Sequence, residues 1–226
     1  MNPYEPGTQP DFYASVAASI GARVVVELGC GTGQVACALA AQEHSVIGVE
    51  PAAPMLAIAR MRCSGVQWVA GGASALEAWD ADLACMSGHV AQFFVADDEW
   101  AAALNALRRT VRPGGLLAFE TRDPRAREWE RWARRERTAV VDPVAGPIEW
   151  WTEVHDVRRG VVSYAIHYRF VARDETLVSE AALRFRTEGE LRATLSEAGF
   201  EVEHLYGNWD RSPAGPGQPE FIVIAR

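Results

Sequence analysis

The segment VVVELGCGTGQ, residues 24–34, constrains this chain more than any other stretch. A β-branched run ends in Glu27-Leu28-Gly29-Cys30-Gly31-Thr32-Gly33 and passes straight into a helical pattern. Such a run marks a strand buried on both faces. Glycines after it let the backbone approach a ligand and leave N–H groups facing it at a helix start. A second strand ends in Glu50, roughly 20 residues on, where a carboxylate can hold a ribose diol at the carboxyl ends of the strands. Two details sharpen this otherwise weak signal. The dinucleotide fingerprint needs its third glycine at position 34, and here Gln34 stands there, with Gly33 one residue early. Glu27 precedes the first glycine by two residues. A carboxylate there suits an ammonium group and is a poor neighbour for a pyrophosphate.

The rest of the first half alternates strand and helix. Residues 11–20 read as a helix with Asp11 at its N-cap, 23–28 as a strand, 34–42 as a helix and 45–50 as a strand. Residues 54–63 follow as a helix, 67–70 and 81–87 as strands, and 97–110 as a helix with acidic residues in its first turn. Arg112-Pro113-Gly114-Gly115 reads as a turn before a strand over 116–120. This order predicts a parallel sheet with helices on both faces. Residues 125–137 form a charged helix carrying Trp129 and Trp132. Residues 148–186 then become strand-like, with breaks near Arg159-Gly160 and Asp174-Glu175. In Val162, Tyr164, Ile166, Tyr168 and Phe170 every second residue is apolar, so one face of that strand is greasy. Three antiparallel strands inserted into the α/β unit are expected, within residues 137–186. A helix over 188–198 stopping at Gly199, and strands over 201–205 and 221–225, complete a single domain over 1–226, with residues 1–20 as an N-terminal arm and helix.

Composition bounds the partners. The net charge is −8, against the basic surface that phosphate neutralisation requires, so no nucleic-acid partner is expected. All 22 basic residues are Arg, which reads as a codon bias. Cys30, Cys37, Cys63 and Cys85 form no CxxC pair, and no His cluster lies near them, so neither a metal site nor a disulfide framework is expected. No basic stretch leads into an apolar run at the start. No apolar run approaches the ~20 residues that span a bilayer. A cytoplasmic protein, off the membrane, monomeric or homodimeric, is expected.

Together with Val49-Glu50, Ala81-Asp82-Leu83, Arg112-Pro113-Gly114-Gly115 and Ala198-Gly199-Phe200, the glycine loop resembles the class I S-adenosylmethionine-dependent methyltransferases of the small-molecule type, from about Asp11 to the C-terminus. The resemblance implies an α/β fold: a Rossmann-like seven-stranded sheet with helices on both faces, its last strand antiparallel, with the small antiparallel β insertion after strand five. It implies S-adenosyl-L-methionine as cofactor. Glu27, Gly29 and Cys30 would sit near its amino-acid part, with Gly31 and Gly33 allowing close approach. Glu50 and Pro51 would bind the ribose end, and Met55 would pack on adenine. The family often has an acidic residue after the glycine ending strand three. Gly71-Gly72-Ala73-Ser74 has none, so Gly72, Ala73 and Ser74 would hold adenine by backbone atoms or the Ser74 hydroxyl. Met86 and Tyr13 are further cofactor candidates, Tyr13 being equally readable as a packed aromatic.

Methyl transfer is an in-line displacement that must align the nucleophile and, for some acceptors, remove a proton. Ser87-Gly88-His89-Val90 stands where adenine-amine enzymes carry Asn/Asp-Pro-Pro-aromatic, and Cys85 follows Ala84 rather than proline. A small-molecule acceptor is therefore expected. His89, just past strand four, is the candidate general base, or else a residue that only orients its loop. Gln92 and Arg122, together with Tyr4 in the arm and Tyr164, Tyr168 and Arg169 in the inserted strands, are acceptor-site candidates. The inserted strands read as an acceptor lid. Competing readings are a non-catalytic S-adenosylmethionine-binding protein and a nicotinamide oxidoreductase, the latter disfavoured by Gln34 and Glu27.

Overall fold

The computed structural model describes residues 9–134 and 137–226. Tyr4 lies outside them. Helix α1 (Gln9–Ser19) leads into β1 (Val24–Leu28), α2 (Gln34–Ala40), β2 (Ser45–Glu50), α3 (Ala53–Arg62) and β3 (Val66–Ala70). The chain then returns to the other side of β1 with β4 (Ala81–Met86), α4 (Asp97–Thr110) and β5 (Val111–Arg122). After the insertion come α6 (Glu188–Glu197), β10 (Val202–Tyr206) and β11 (Glu220–Ala225). The seven strands lie in the order β10-β11-β5-β4-β1-β2-β3. Pairing is parallel from β3 to β5, and β11 runs antiparallel to both β5 and β10. The direction of winding reverses between β1 and β4, and the crevice outside their carboxyl ends is where ligands bind in such sheets.

The buried runs explain why the sheet is central. Side chains alternate across a strand. In β1, Val26 and Leu28 pack with Trp100, Leu104 and Phe119 on one side, whereas Val25 packs with Tyr13, Ala36 and Leu39 on the other. Helix α4 carries Asp97, Asp98 and Glu99 in its first turn and Arg108 and Arg109 in its last, which complements the helix dipole. Trp100, Leu104 and Leu107 are its buried stripe. Helix α6 opens with a capping box, Thr187 with Glu190.

Four expectations need correction. The first helix starts by Gln9, so Asp11 lies in its first turn and is not its N-cap. Arg112-Pro113-Gly114-Gly115 is not a separate turn; β5 runs through it, and the β4–β5 register shifts between Ala81 and Leu83 to absorb the extra residues. The insertion has four antiparallel strands rather than three: β6 (Thr138–Asp142), β7 (Gly146–Arg158), β8 (Val161–Phe170) and β9 (Glu175–Arg184). The first was missed because Pro143 and Gly146 make its hairpin look like a loop. Finally, Cys37 and Cys63 form a disulfide. Two consecutive crossovers return α2 and α3 to one side of the sheet, and this pairing cannot be read from spacing. Among the described residues no group of His, Cys, Asp or Glu could hold a metal, and no helix is long and apolar enough to cross a membrane.

The insertion follows α5 (Glu128–Arg134) and stands on the sheet's rim. Its buried end is small: Val162, Leu183 and Phe185, packed by Trp129, Trp132 and Tyr164. Trp129 meets Phe185 edge-on at 4.8 Å between ring centroids. The greasy stripe on β8 is therefore buried near Val162 and fades outward, leaving Tyr168 at 38% exposure.

Asp82 ties the amino ends of three strands together. It accepts from the Arg23 and Val24 backbone N–H groups at 2.7 and 2.9 Å and from Arg112 Nε at 2.6 Å. Burial works to raise its pKa, but the Val24 N–H and Arg112 outweigh that and hold it at about 2. Asp82→Ala is expected to cost roughly 2–4 kcal/mol in urea denaturation at neutral pH, since hydrogen bonds to a charged group are strong and two backbone donors lose their acceptor. The depressed pKa stabilises the fold above the ordinary carboxylate range, and that contribution is lost as pH falls through about 2. The gap between wild type and variant should therefore narrow below about pH 4.

Candidate cofactor and transfer site

A cavity of about 590 Å³ opens at the carboxyl ends of β1, β2 and β4. Its walls include Gly29, Cys30, Gly31, Glu50, Pro51, Met55, Gly72 and Ala73, all expected there, and also Gln9, Thr32, Ser87, Gly88, Val90, Phe93 and Phe94. The glycine loop is held by Gly29 and Cys30, whose N–H groups both donate to the Val49 carbonyl. Gly33 takes a left-handed φ of 77° as the cap of α2, and a Cβ there would lie 2.5 Å from Trp68. Its need for glycine thus comes from the turn and from Trp68 packing beneath the loop. Gly33 and the exposed Ser74 stand outside the cavity wall.

Two glutamates of this region differ sharply. Glu50 ends β2 with its carboxylate tied down: Oε2 accepts from Gly31 N–H at 2.9 Å and Oε1 from Ala52 N–H at 2.8 Å. Each oxygen keeps a second lone pair. Glu27 is fully buried behind the loop; Ser87 Oγ donates to its Oε1, while Oε2 has no partner among the described residues. Burial pushes the Glu27 carboxyl up to about 7, against the hydrogen bond from Ser87, with Glu120 and Glu50 adding repulsion.

A second buried carboxylate, Glu120 on β5, gathers three donors. Gln9 Nε2 donates to Oε1 at 2.7 Å, the His89 backbone N–H to Oε1 at 3.0 Å, and the Tyr13 hydroxyl to Oε2. Burial raises Glu120, while His89 and Tyr13 pull it down. Tyr13 is wholly buried and also reaches the Met86 carbonyl at 3.3 Å. Burial and then Glu120 push its phenol well above the ordinary range. Tyr13 and Met86 thus sit beneath the cavity rather than in its wall. Sequence reasoning missed Gln9 and Glu120 as a pair, because the partners are more than a hundred residues apart.

His89 sits between the wall residues Gly88 and Val90, with a left-handed φ of 61°. Its Nε2 lies 3.0 Å from each carboxylate oxygen of Glu220, the first residue of β11. Nearby, Arg122 NH1 donates to Gln92 Oε1 at 2.7 Å, and its guanidinium lies 5.1 Å from the Trp132 ring. Burial lowers the Arg122 pKa, and Glu220 and Glu128 oppose that. Tyr164 joins this group through Trp132, at 5.6 Å between rings. The expected residues His89, Gln92, Arg122 and Tyr164 therefore cluster between the sheet and the insertion. Arg169 does not join them; it pairs with Asp174 and Glu149 at the outer end, near the half-exposed Tyr168. Arg186, which the sequence did not flag, closes the cluster from behind. Its side chain is 3% exposed, donates to the Phe94 carbonyl at 2.8 Å and stacks over Trp100.

Residues 25–115 match the family described as the methyltransferase domain. No curated relative matches the chain by sequence. Among solved structures, the CcbJ methyltransferase from Streptomyces caelestis is similar with a TM-score of 0.79 at 22% identity, covering 99% of this chain and 92% of that one. The sugar N-methyltransferase KedS8 from Streptoalloteichus sp ATCC 53650 gives 0.79 at 19%, covering 99% and 89%. CalS10, an amino pentose methyltransferase from Micromonospora echinaspora described with S-adenosylmethionine bound, gives 0.71 at 22%, covering 96% and 92%. The likeness is one of fold over nearly the whole chain.

The half-satisfied Glu27 makes a thermal prediction. A carboxyl whose folded pKa is raised from 4.5 to about 7 stabilises the fold at low pH, and that contribution is lost as pH rises through about 7. The ligand-free protein should therefore melt at lower temperature at pH 8 than at about pH 5. Glu27→Gln, which needs no ionisation, should flatten that slope. A slope unchanged in the variant would show that Glu27 is not the group responsible.

Proposed function

We propose, from the premise that the chain is a class I S-adenosylmethionine-dependent methyltransferase, that it moves the cofactor's methyl group in line onto a small-molecule acceptor held between the sheet and the inserted strands. The observation that carries this is the join of two compartments at one loop. The glycine cavity with Glu50 lies on one side of residues 87–90, and the cluster of Gln92, Arg122 and Tyr164 on the other.

The residues present fit S-adenosylmethionine. Glu50 has free lone pairs at the end of β2 for a ribose diol. Glu27 Oε2 is a buried acceptor without a partner, and a cationic amino acid group supplies the donor and the charge. Met55, Gly72 and Ala73 line the adenine end, and no carboxylate is among the wall residues there other than Glu50. When bound, S-adenosylmethionine supplies an electrophilic methyl carbon whose bond to sulfur breaks as the acceptor bond forms, with the electron pair leaving on sulfur. The chain's own work is to align, desolvate and deprotonate. Phe93, Phe94 and the insertion's buried end exclude water from the rim. Arg122, oriented by Gln92 and Trp132, is a positioning residue for the acceptor's polar groups. His89 takes the proton.

The acceptor is a small metabolite, and the sugar N-methyltransferase and amino pentose methyltransferase among the similar structures put amino sugars first in a panel with phenols and alcohols. A coupled assay for S-adenosylhomocysteine against that panel tests the reading; no turnover with intact cofactor binding would favour a non-catalytic binder.

Calorimetry should register S-adenosylmethionine and S-adenosylhomocysteine and no NAD. Glu50→Ala should weaken cofactor binding at least tenfold, because hydrogen bonds to a charged acceptor contribute about 1.5–3 kcal/mol each and ~1.4 kcal/mol is a factor of ten. Since Glu50 also anchors the glycine loop through Gly31, Glu50→Gln is the control: it keeps one acceptor and should fall between Ala and wild type. Wild-type affinity in a folded Glu50→Ala would remove Glu50 from the site.

A further inference from the structure

Glu220 has no place in the reading so far, although it holds the group that reading depends on. Its two carboxylate oxygens both lie 3.0 Å from His89 Nε2. A carboxylate accepts, so the nitrogen facing it carries the proton. The other nitrogen, Nδ1, has no hydrogen-bond partner among the described residues. It is also absent from the buried atoms lacking a partner, which are Gln9 Oε1, Glu27 Oε2 and Gln92 Nε2. Among the described residues Nδ1 thus has no partner and is not fully buried, in a side chain that is 16% exposed.

The backbone points to the same role. His89 is a non-glycine residue in the left-handed region, next to Gly88 at φ 71°, a conformation that costs free energy and persists only where surroundings enforce it. Here two carboxylates from different strands enforce it: Glu120 on β5 accepts the His89 N–H, and Glu220 on β11 accepts the ring. A loop serving only as a turn needs no such double tether.

We propose that Glu220 is the positioning residue of a His89–Glu220 pair, which fixes the Nε2–H tautomer and leaves Nδ1 as the base for an acceptor that has a proton to lose. This rests on the methyltransferase reading above. As the acceptor's oxygen or nitrogen forms its bond to the methyl carbon, the carbon–sulfur bond breaks onto sulfur and the proton on that heteroatom passes to Nδ1. The imidazolium so formed keeps its Nε2–H donated to Glu220, and the Nδ1 proton leaves to solvent. The acceptor class follows: a hydroxyl, or an amine that carries a hydrogen, and not a tertiary amine or a thioether. The charged groups that act on the pair are Glu120 and Arg122 on β5; Tyr13 on α1 acts on Glu120, and Glu128 on α5 and Tyr164 on β8 act on Arg122.

The test begins with long-range proton–nitrogen NMR on the full chain, whose five histidines allow His89 to be assigned by subtraction with His89→Gln. At alkaline pH the wild-type ring should show Nε2 protonated and Nδ1 bare to a greater degree than a free imidazole, and Glu220→Leu, which offers no acceptor, should remove that excess. A wild-type ring protonated at Nδ1, or a tautomer ratio unmoved in Glu220→Leu, overturns the pair. On the panel's best acceptor, His89→Gln should lower kcat by about 10²–10⁴-fold, with Glu220→Gln lying between it and wild type and KM little changed. Glu220→Asp should recover part of the loss. A Glu220→Gln that raises KM with kcat intact would make Glu220 a binding residue and overturn the proposal. Calorimetry keeps the two readings apart: each variant should bind S-adenosylhomocysteine like wild type, and failure of the wild type itself to bind it defeats the methyltransferase reading rather than the pair.

Discussion

Glu120 accepts hydrogen bonds from an N-terminal helix, from a sheet-top loop and from a phenol, all without reaching water. A carboxylate left bare at such depth would be very costly. With Gln9, Tyr13 and the His89 N–H around it, it becomes a joint that fixes two elements, α1 and the loop over residues 87–90, to β5 at once. Helix α1 cannot slide off the cavity without stripping two donors from it, and the loop over residues 87–90 cannot relax from its left-handed turn without stripping the third. The cavity's shape, the seat of Gln9 in its wall and the direction of His89 all follow from that joint.

Glu27 and Glu50 show how one residue type is given two jobs by its surroundings. Glu50 sits at a strand end with backbone donors on both oxygens, which fix the direction of its carboxylate. Glu27 is enclosed, with one oxygen satisfied by Ser87 and one left over, and burial pushes its carboxyl up to about 7. On the proposed function, the first receives the ribose hydroxyls and the second the cofactor's ammonium group, and that pairing suits a sulfonium amino acid ligand better than a dinucleotide.

Much of this was legible because local rules agree in the α/β part. The β-branched run of β1, the acidic opening of α4 and Gly199 after α6 each need only neighbours in sequence, and β2 and α4 were placed to the residue. The cavity wall followed from the same segments, since the residues that line it end strands or start helices. What the sequence could not show depends on three-dimensional encounter. The Cys37–Cys63 bond, the Gln9–Glu120 contact and the Glu220–His89 contact join residues 26, 111 and 131 positions apart. Alternation on β8 promised a uniformly buried face, but burial needs something to pack against. Among the described residues Trp129, Trp132, Val154, Leu183 and Phe185 provide it, and they do so at one end.

That one-ended burial decides how the insertion can act. Its outer half, with Arg169 paired to Asp174 and Glu149, contributes polar surface away from the cavity. Its inner half is bolted to the α/β unit by Arg186, which gives its guanidinium to the Phe94 carbonyl and its face to Trp100 on α4. Burial pulls the Arg186 pKa down to about 10, with Arg184 working the same way and Asp97 opposing it, so the bolt stays charged across the neutral range. The residues 90–94 that it holds are the same ones that present Phe93 and Phe94 to the cavity and Gln92 to Arg122. The inserted strands are thus anchored where they meet the sheet, and on the proposed function selection of the acceptor falls to Tyr164, Trp132 and Arg122 rather than to the strand tips.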